Sequence, residues 1–509
     1  MSTSTQVSGS ALNGVDALQL GHIKHIEQLS KLPRGDWSGM HSIAPGQGDD
    51  LGGYRFQLAY GAYALALAHR HRLPNAPAMF ESTFNRLIEK LLEPEVWMYW
   101  RDVGRGGAPF NAHLSDRLFE QWDPVVRDNI MYSAYVQSMA AMYNVLFDDD
   151  RYTKPGALSF RYWSFFWGGE PKSFEYDQNS LTELLYWKMV ENGYLGIACE
   201  PNCIFQICNQ PAIIGFRMHD LVTGGNVADD VVEGYRRAYA DFGRLGDDGH
   251  YNMMVLEDSK VVIPNRGNPW VDAWCGALMN TWNTEFVREH YPRQVADFLV
   301  EESDGTLSVK VEPASFGDIV IDTDTNDFGW VAAWASEMGD RPTLEGLLAH
   351  ADRHMKPTWH DGALHYPRND EKFDQDGHWV RMAPLTGNAL LGYARLNVED
   401  GMWGLYNRPW DRSHFSEPLI VGRTDNVDIT RAVFDRESRA LNFTVARRVG
   451  EGAADAFIEI DNVGDFVLEE EDGAAAPAVA RCEESRLRLQ VPPTSTNMRL
   501  SVAGWEPSS

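Results

Sequence analysis

The run Phe56-Gln-Leu-Ala-Tyr-Gly-Ala-Tyr-Ala-Leu-Ala-Leu-Ala68 gives the first view of how this chain folds. It is rich in small residues and apolar on nearly all faces of a helix, which is typical of an inner helix packed on both sides. Two later segments, 80–92 and 124–147, are amphipathic instead, as helices with one wet side are. The chain therefore combines inner and outer helices.

Helical periodicity extends to about residue 415, with apolar residues three and four apart and little sustained alternation. A capping box, Ser180-Leu-Thr-Glu183, predicts a helix that ends near Asn192, just before Gly193. The same periodicity predicts further helices over 227–242, 273–280, 291–301, 329–338, 343–355 and 385–396. A dozen or so helices that alternate between apolar and amphipathic predict a closed ring of antiparallel hairpins, an (α/α)6 barrel.

After the turn-rich segment around residues 406–410, the spacing of apolar residues changes from the helical period to a period of two residues. Residues 429–434, 441–445, 457–460 and 487–491 alternate like strands and are separated by turns rich in Gly, Asp and Ala. The sequence therefore predicts a mainly α protein in three parts: an N-terminal segment, 1–34, an (α/α)6 barrel catalytic domain, 35–415, and a small β domain, 416–509.

Composition limits the partners of this protein. The chain has 509 residues, 44% of them hydrophobic, and a net charge of -28 from 73 acidic and 45 basic residues. Nucleic acid and anionic membranes would be repelled by this charge, so a neutral or apolar small molecule is the expected ligand. The first 14 residues lack a basic start and an apolar run, and nothing later approaches a membrane span, which predicts a cytoplasmic protein with reduced cysteines.

Three of the five cysteines lie within ten residues, in Cys199-Glu-Pro-Asn-Cys203-Ile-Phe205-Gln-Ile-Cys208-Asn209. The spacing fits neither a metal knuckle nor a Cys-x-x-Cys redox motif. These cysteines are therefore either free thiols placed for acid-base or nucleophilic work, or small buried hydrophobes. If a helix begins after Pro201, Cys199 and Cys208 can reach one cavity from a loop and a helix, while Cys203 is expected to be structural.

Aromatic residues crowd the helical part of the chain. Core packing explains any single ring, but as a set the rings are suited to line a pocket for an apolar ligand and to stabilise a developing carbocation. An aromatic cleft is equally suited to stack sugar rings. The prominent aromatic residues include Trp97, Trp100, Tyr132, Tyr135, Tyr186, Trp187, Trp274, Trp282 and Trp330.

No signal for a metal or cofactor stands out in the sequence. Among themselves, His354, His360 and His365 show no helical His-x-x-x-His spacing, and no carboxylate partner is expected for them, so surface histidines are favoured. A glycine-rich phosphate loop, a dinucleotide fingerprint and a nucleophile elbow are all missing from the sequence. We therefore expect neither a bound metal nor a cofactor.

The cysteine segment also carries a family resemblance. Cys199-Glu-Pro, Phe205 and Cys208-Asn209, preceded by Asp123-Pro and Asn129-Ile-Met-Tyr132, resemble the linalool dehydratase-isomerase family. The similarity extends over roughly residues 35 to 400 and leaves the β domain outside. It implies an (α/α)6 barrel, cofactor-free hydration, dehydration and isomerisation of terpenoids or short alkenols, and a homo-oligomer in which a neighbouring subunit helps complete the site.

The resemblance also implies site residues. The two cysteines of the family site fall on Cys199 and Cys208, and a pocket methionine falls on Met131. The family's histidine is Tyr135 here and a tyrosine that opens the inner helix is Phe56, so the resemblance implies a substrate other than linalool. The loop aspartate corresponds to Asp36 and a second loop tyrosine to His41; Phe205 and Trp274 complete the expected substrate-binding set.

Dehydration of an allylic or tertiary alcohol needs an acid that protonates the leaving hydroxyl and a base that takes a proton from the adjacent carbon. It also needs aromatic rings that exclude water from the cationic transition state. We assign the acid and the base to Cys199 and Cys208 without deciding which is which, and positioning or relay to Asp36, Tyr135 and His41. Two other functions remain open: a carbohydrate-active (α/α)6 lyase or hydrolase that uses carboxylates such as Asp123 and Glu200, and a non-catalytic binder of lipophilic molecules.

Overall fold

The structure is a computed structural model that describes residues 14–42, 53–106, 109–166, 169–265, 267–311, 314–316, 319–321, 326–448, 455–470, 479–483, 485–503 and 505. The helices of these residues are α1 Ala17–Lys31, α2 Tyr54–His71, α3 Glu81–Leu91, α4 Pro94–Trp97, α5 Tyr99–Val103, α6 Ile130–Phe147, α7 Gln178–Glu191, α8 Gln206–Thr223, α9 Val227–Phe242, α10 Pro269–Phe298, α11 Asp327–Met338, α12 Arg341–His354, α13 Leu391–Leu396 and α14 Gly401–Asn407. A π-helical stretch, Leu385–Leu390, runs directly into α13.

Short strands interrupt the helical part and longer ones follow it. The strands of the helical part are β1 Leu158–Tyr162, β2 Lys172–Tyr176, β3 Cys203–Phe205, β4 Asn252–Leu256, β5 Val262–Pro264, β6 Leu299–Glu301, β7 Leu307–Val309, β8 Ala314–Phe316, β9 Ile319–Ile321, β10 Thr358–His360 and β11 Ala363–His365. Those of the C-terminal part are β12 Leu419–Arg423, β13 Val427–Asp435, β14 Ala440–Arg447, β15 Phe457–Asp461, β16 Asp465–Glu470, β17 Val479–Glu483, β18 Arg486–Gln490 and β19 Thr496–Ala503.

Helices α2, α6, α8, α10, α11 and α13 form a closed ring in which each contacts the next and α13 returns to α2. The apolar character of these helices explains their place, since 15 of the 18 residues of α2 are buried. Helix α9, outside the ring, buries only 5 of its 16 residues. With α1, α3, α7, α9 and α12 packed around the ring, the fold is a helical toroid followed by a β domain.

Some helix bounds differ from the sequence prediction. Helix α9 spans Val227–Phe242 as predicted, but α7 begins earlier because Asp177, and not Ser180, is its N-cap. Residues 124–129 are not helical, and Asn129, with φ of 73°, directly precedes α6. Two predicted segments, 273–280 and 291–301, belong largely to the single helix α10, which is kinked at Asn283.

The C-terminal domain contains two four-stranded antiparallel sheets, with strand orders β12-β15-β18-β17 and β13-β14-β19-β16. Asn75 joins this domain to the toroid: its Nδ2 donates to Glu417 Oε2 (2.9 Å) and its Oδ1 accepts from Phe434 N–H (2.8 Å). An ion pair of Arg423 with Glu27 on α1 (3.0 Å) makes a second link. Helix α1, which lies within the predicted N-terminal segment, therefore contacts both parts; the domain boundaries themselves stay predictions.

Among the described residues, no helix is long and apolar enough to cross a bilayer.

Candidate active site

The two outer cysteines of the segment are brought together by a tight turn followed by a short strand. Cys199 N–H donates to Cys203 O (2.8 Å), and Asn202 takes the left-handed conformation with φ of 72°. Strand β3 then pairs with β4, and α8 begins at Gln206. The predicted helix after Pro201 is thus displaced by this turn and strand, which return Cys208 to the side of Cys199.

The two sulfur atoms lie in contact. Cys199 Sγ donates to Cys208 Sγ at 3.3 Å, and both residues are buried, with exposures of 2% and 5%. Burial, and then the hydrogen bond to Cys208, raises the pKa of Cys199 above its ordinary value. Cys199 therefore keeps its proton at neutral pH and is suited to act as an acid.

Cys203 is also buried, but its sulfur donates elsewhere, to Pro201 O at 3.5 Å. Burial raises the pKa of this thiol as well. Its backbone carbonyl accepts the Cys199 N–H, so Cys203 supports the turn that carries Cys199.

Asn209 holds the loop of Cys199 against the helix of Cys208. Its Oδ1 accepts from Ile197 N–H (2.9 Å), while its Nδ2 donates to Ile197 O (3.1 Å) and Phe205 O (2.8 Å). Gly196 makes this close approach possible: its φ is 125°, and a Cβ there would lie 2.8 Å from Asn209 Nδ2. A fully buried amide thus fixes the spacing of the two sulfurs.

Arg55 is a component of the site that our sequence analysis missed. It is 1% exposed, and its guanidinium carbon lies 4.4 Å from the centre of the Phe56 ring and 4.2 Å from that of Tyr99. Its Nη2 donates to Met131 Sδ at 3.4 Å, and its charge lowers the pKa of Cys199, against the larger effect of burial. The available signal was an arginine at the start of an otherwise apolar inner helix.

Aromatic rings from three inner helices surround Tyr60 on α2. The Tyr135 hydroxyl donates a hydrogen bond to Tyr60 Oη (3.4 Å), and Trp274 Nε1 also donates to that oxygen. Phe56 packs edge-on against Tyr135 and Trp274, with ring centres 5.8 and 5.3 Å away. Burial raises the pKa of Tyr135, and negative charge on Cys208 would raise it further, so this phenol is neutral.

Predicted site residues therefore fall into two groups. Cys199, Cys208 and the rings of Phe56, Tyr135 and Trp274 belong to inner helices or to the loop they hold, and Met131 joins them through Arg55. The other three predicted residues, Asp36, His41 and Phe205, lie nearer the surface. Phe205 is half-buried at the end of β3, where its backbone faces Met254.

Asp36 and His41 are not joined to the thiol pair by any described contact. Asp36 Oδ1 accepts from Ser38 N–H (3.0 Å) and Ser38 Oγ (2.6 Å), and these bonds lower the pKa of Asp36. His41 is exposed, and its Nδ1 lies 2.8 Å from Tyr54 Oη. The catalytic role of Asp36 and the binding role of His41 stay predictions.

Two features outside the thiol pair bear on the alternative functions. A surface hollow of about 700 Å³ opens between α1, α3 and β1, and its lining includes none of the predicted site residues. Asp123, a carboxylate considered for glycoside chemistry, accepts hydrogen bonds from Val125 N–H (2.9 Å) and Tyr176 Oη (2.7 Å). The first contact is within the Asp123 turn and the second joins this turn to β2, so both are structural.

The fold is a helical toroid whose buried core includes both the contacting pair of thiols and the rings around Tyr60. The family model described as linalool dehydratase/isomerase matches residues 55–372, more than half of the chain. The protein belongs to the linalool dehydratase/isomerase family, as the cysteine segment indicated.

Several solved structures are similar to this chain at low identity. The GH76A α-1,6-mannanase of Salegentibacter sp. HEL1_6 is 11% identical, with 76% of this chain and 100% of that chain covered and a TM-score of 0.39. An unsaturated glucuronyl hydrolase specific for heparin is 9% identical (74% and 94% covered, TM-score 0.43), and the endoglucanase CelQ of Clostridium thermocellum is 10% identical (96% and 94%, TM-score 0.37). Similarities this weak carry no argument about activity.

Proposed function

We propose that the protein is a cofactor-free dehydratase/isomerase that acts on an apolar alkenol or terpenoid-like alcohol by thiol acid-base catalysis. The observation that carries this proposal is the 3.3 Å contact between the buried sulfurs of Cys199 and Cys208. Membership of the linalool dehydratase/isomerase family supports the same class of reaction.

The two thiols have different roles in this proposal. Cys199, whose pKa is raised by burial, donates its proton to the leaving hydroxyl. Cys208, as the thiolate, takes the proton from the adjacent carbon, and it lies in the first turn of α8, where the backbone amides favour negative charge. Water and an alkene leave, and the proton then returns from Cys208 to Cys199 across the sulfur contact.

In this proposal, the rings around Tyr60 form the water-free aromatic surface that stabilises a cationic transition state. The ring faces attract positive charge, an interaction of up to ~2 kcal/mol per ring when water is excluded. Tyr135 and Tyr60 add hydroxyl groups that can orient the substrate's oxygen. Because Tyr135 and Phe56 stand where the family has a histidine and a tyrosine, we propose a substrate other than linalool.

We also propose a homo-oligomer in which a neighbouring copy covers the site, with no role for nucleic acid or membranes. Asp36 and His41 lie in one surface loop, the position from which residues can contact a neighbouring subunit. Free thiols need a reducing compartment, so the proposed location is the cytoplasm.

The test is a panel of terpenoid and short-chain alcohols incubated with the protein and analysed by mass spectrometry. We expect loss or gain of water, or isomerisation, of at least one compound, and no reaction after a thiol-alkylating reagent. The Cys203→Ala variant is the matched control, because it removes a buried thiol that lies outside the pair. Activity that survives alkylation favours a carboxylate mechanism, and binding without turnover favours a lipophile-binding protein.

A further inference from the structure

A cluster of two histidines and two aspartates lies on the outer side of the toroid, away from the thiol pair. Asp304 comes from the turn between β6 and β7, His354 ends α12, and Asp374 and His378 belong to a turn after β11. His354 Nε2 lies 2.9 Å from Asp304 Oδ2, and His378 Nδ1 lies 3.2 Å from Asp374 Oδ2. One ligand atom each of Asp304, His354 and His378 lies within 4.8 Å of the other two.

The fold orients both carboxylates towards the imidazoles. Asp304 Oδ1 is held by Thr306, through its N–H (3.0 Å) and its Oγ1 (2.7 Å), which leaves Oδ2 facing His354. Asp374 Oδ1 accepts from the N–H of Asp376 and of His378, which leaves Oδ2 facing the histidines.

The two imidazole rings lie face to face, with centres 4.0 Å apart and planes 18° apart. Both side chains are only slightly exposed, 11% for His354 and 14% for His378. Imidazole nitrogens are the commonest metal ligands in proteins, and here two imidazole rings lie beside two carboxylates.

We propose that this cluster is a zinc site with Asp304, His354 and His378 as ligands and Asp374 as the carboxylate that orients His378. Bonds of about 2.0–2.2 Å in tetrahedral geometry place ligand atoms about 3.3 Å apart. The present separations of up to 4.8 Å exceed this distance by up to about 1.5 Å, so the ligand atoms must move closer together when the metal binds. Since His378 Nδ1 faces Asp374, its Nε2 is the nitrogen that binds the metal, an arrangement common around zinc.

The donor set favours a transition metal. Mixed imidazole and carboxylate ligands select first-row transition metals over Mg²⁺ and Ca²⁺, which prefer oxygen ligands alone. Arg353 Nη1, 2.5 Å from Asp304 Oδ2, occupies part of this site and must move away when the metal binds. Its side chain is about half exposed, so the movement meets no packed core.

The metal would tie three segments that are distant in sequence: the β6–β7 turn, the end of α12 and the 374–378 turn. This predicts a structural effect, with little consequence for the chemistry at the thiol pair. His350 already links two of these segments, since its Nδ1 lies 3.1 Å from Thr306 Oγ1 and its Nε2 lies 2.8 Å from Trp379 O.

The experiment is zinc titration of the full-length, metal-stripped protein by isothermal calorimetry, with thermal unfolding recorded alongside. We expect one zinc ion per chain at this site and an upward shift of the melting temperature. His378→Ala should lower the affinity by about 100-fold or more and abolish the shift, and Asp374→Asn should lower the affinity about 10-fold. His360→Ala is the matched control, because His360 forms a separate exposed pair with Asp361 (3.4 Å).

Substitution of Co²⁺ for zinc distinguishes metal bound at the histidine–aspartate cluster from metal bound by the thiol pair. Co²⁺ bound by histidine and carboxylate lacks the sulfur charge-transfer absorption that a cysteine site would give. Cys208→Ser should retain zinc binding at this site. The proposal is overturned if the wild-type protein takes up no zinc beyond that held by cysteines, or if His378→Ala binds zinc as tightly as the wild type.

Discussion

The Asn209 amide gives a prediction whose size follows from the structure. Asn209→Ala removes three hydrogen bonds inside a fully buried site and leaves the N–H of Ile197 without its acceptor. An unsatisfied buried donor costs about 1–3 kcal/mol, and each lost hydrogen bond about 1 kcal/mol, so we expect a destabilisation of about 3 kcal/mol. Asn209→Asp should be no better, because it keeps the acceptor but loses both donated bonds.

Urea denaturation followed by tryptophan fluorescence measures this change. Asn179→Ala, at an exposed position in the first turn of α7, should stay within about 0.5 kcal/mol of the wild type. Because Asn209 also sets the spacing of the sulfurs, turnover per folded molecule should fall as well. An Asn209→Ala variant as stable as the Asn179→Ala control would refute the reasoning.

Three further predictions concern the same site and the link between the two parts of the fold. Arg55→Met should raise the pKa of Cys199 further, because the Arg55 charge now opposes burial; titration of the ultraviolet thiolate absorbance measures the shift, and an unchanged titration would contradict it. Gly196→Ala should destabilise the protein by more than about 1 kcal/mol in urea denaturation, since φ is 125° there. For Glu27, burial raises the pKa, but Arg423 and Lys31 lower it by more, so the net pKa is below its ordinary value. The stability gained is present above about pH 4.3 and lost as the pH falls through the folded pKa. Arg423→Met should therefore destabilise the protein most near neutral pH, and a destabilisation that stays constant down to acid pH would be inconsistent with the ion pair.

Helix α2 could be recognised as an inner helix because burial on all sides leaves a direct record in composition, whereas the expectation of one wet side for 124–147 was wrong, since 16 of the 18 residues of α6 are buried. Helix α2 is apolar on nearly all sides. Helix α9 has its apolar residues on one side only, and this periodicity predicted both of its ends correctly. The start of α7 could not be fixed in this way, because Asp177-x-x-Ser180 and Ser180-x-x-Glu183 both fit a capping box. The choice between them depends on where the chain enters from β2.

Strands of three residues, such as β3, were not predicted because they are too short to show a period of two. Yet β3 displaces the expected start of α8 and places Cys208 beside Cys199. The sequence identified the thiol pair through its family resemblance, whereas the 3.3 Å contact depends on tertiary structure.

Arg55 and the Asp304 cluster were missed for a related reason. A charged residue is expected at the surface, and the groups that surround Arg55 in the core, Tyr99 and Met131, are distant in sequence. His354 was set aside for want of a carboxylate partner, which the fold supplies from Asp304. Single-sequence patterns do not record such contacts.

The proposed mechanism requires Cys199 and Cys208 to act as one unit, and turnover of the single and double alanine variants measures this dependence. With a substrate identified from the alcohol panel, each single variant should lose a factor of about 10²–10⁴ in kcat, while Cys203→Ala stays within about twofold of the wild type. The double variant should be no slower than the slower single variant, because the two thiols serve the same proton transfers. Normal turnover by either single variant, or losses that simply multiply in the double variant, would contradict the account.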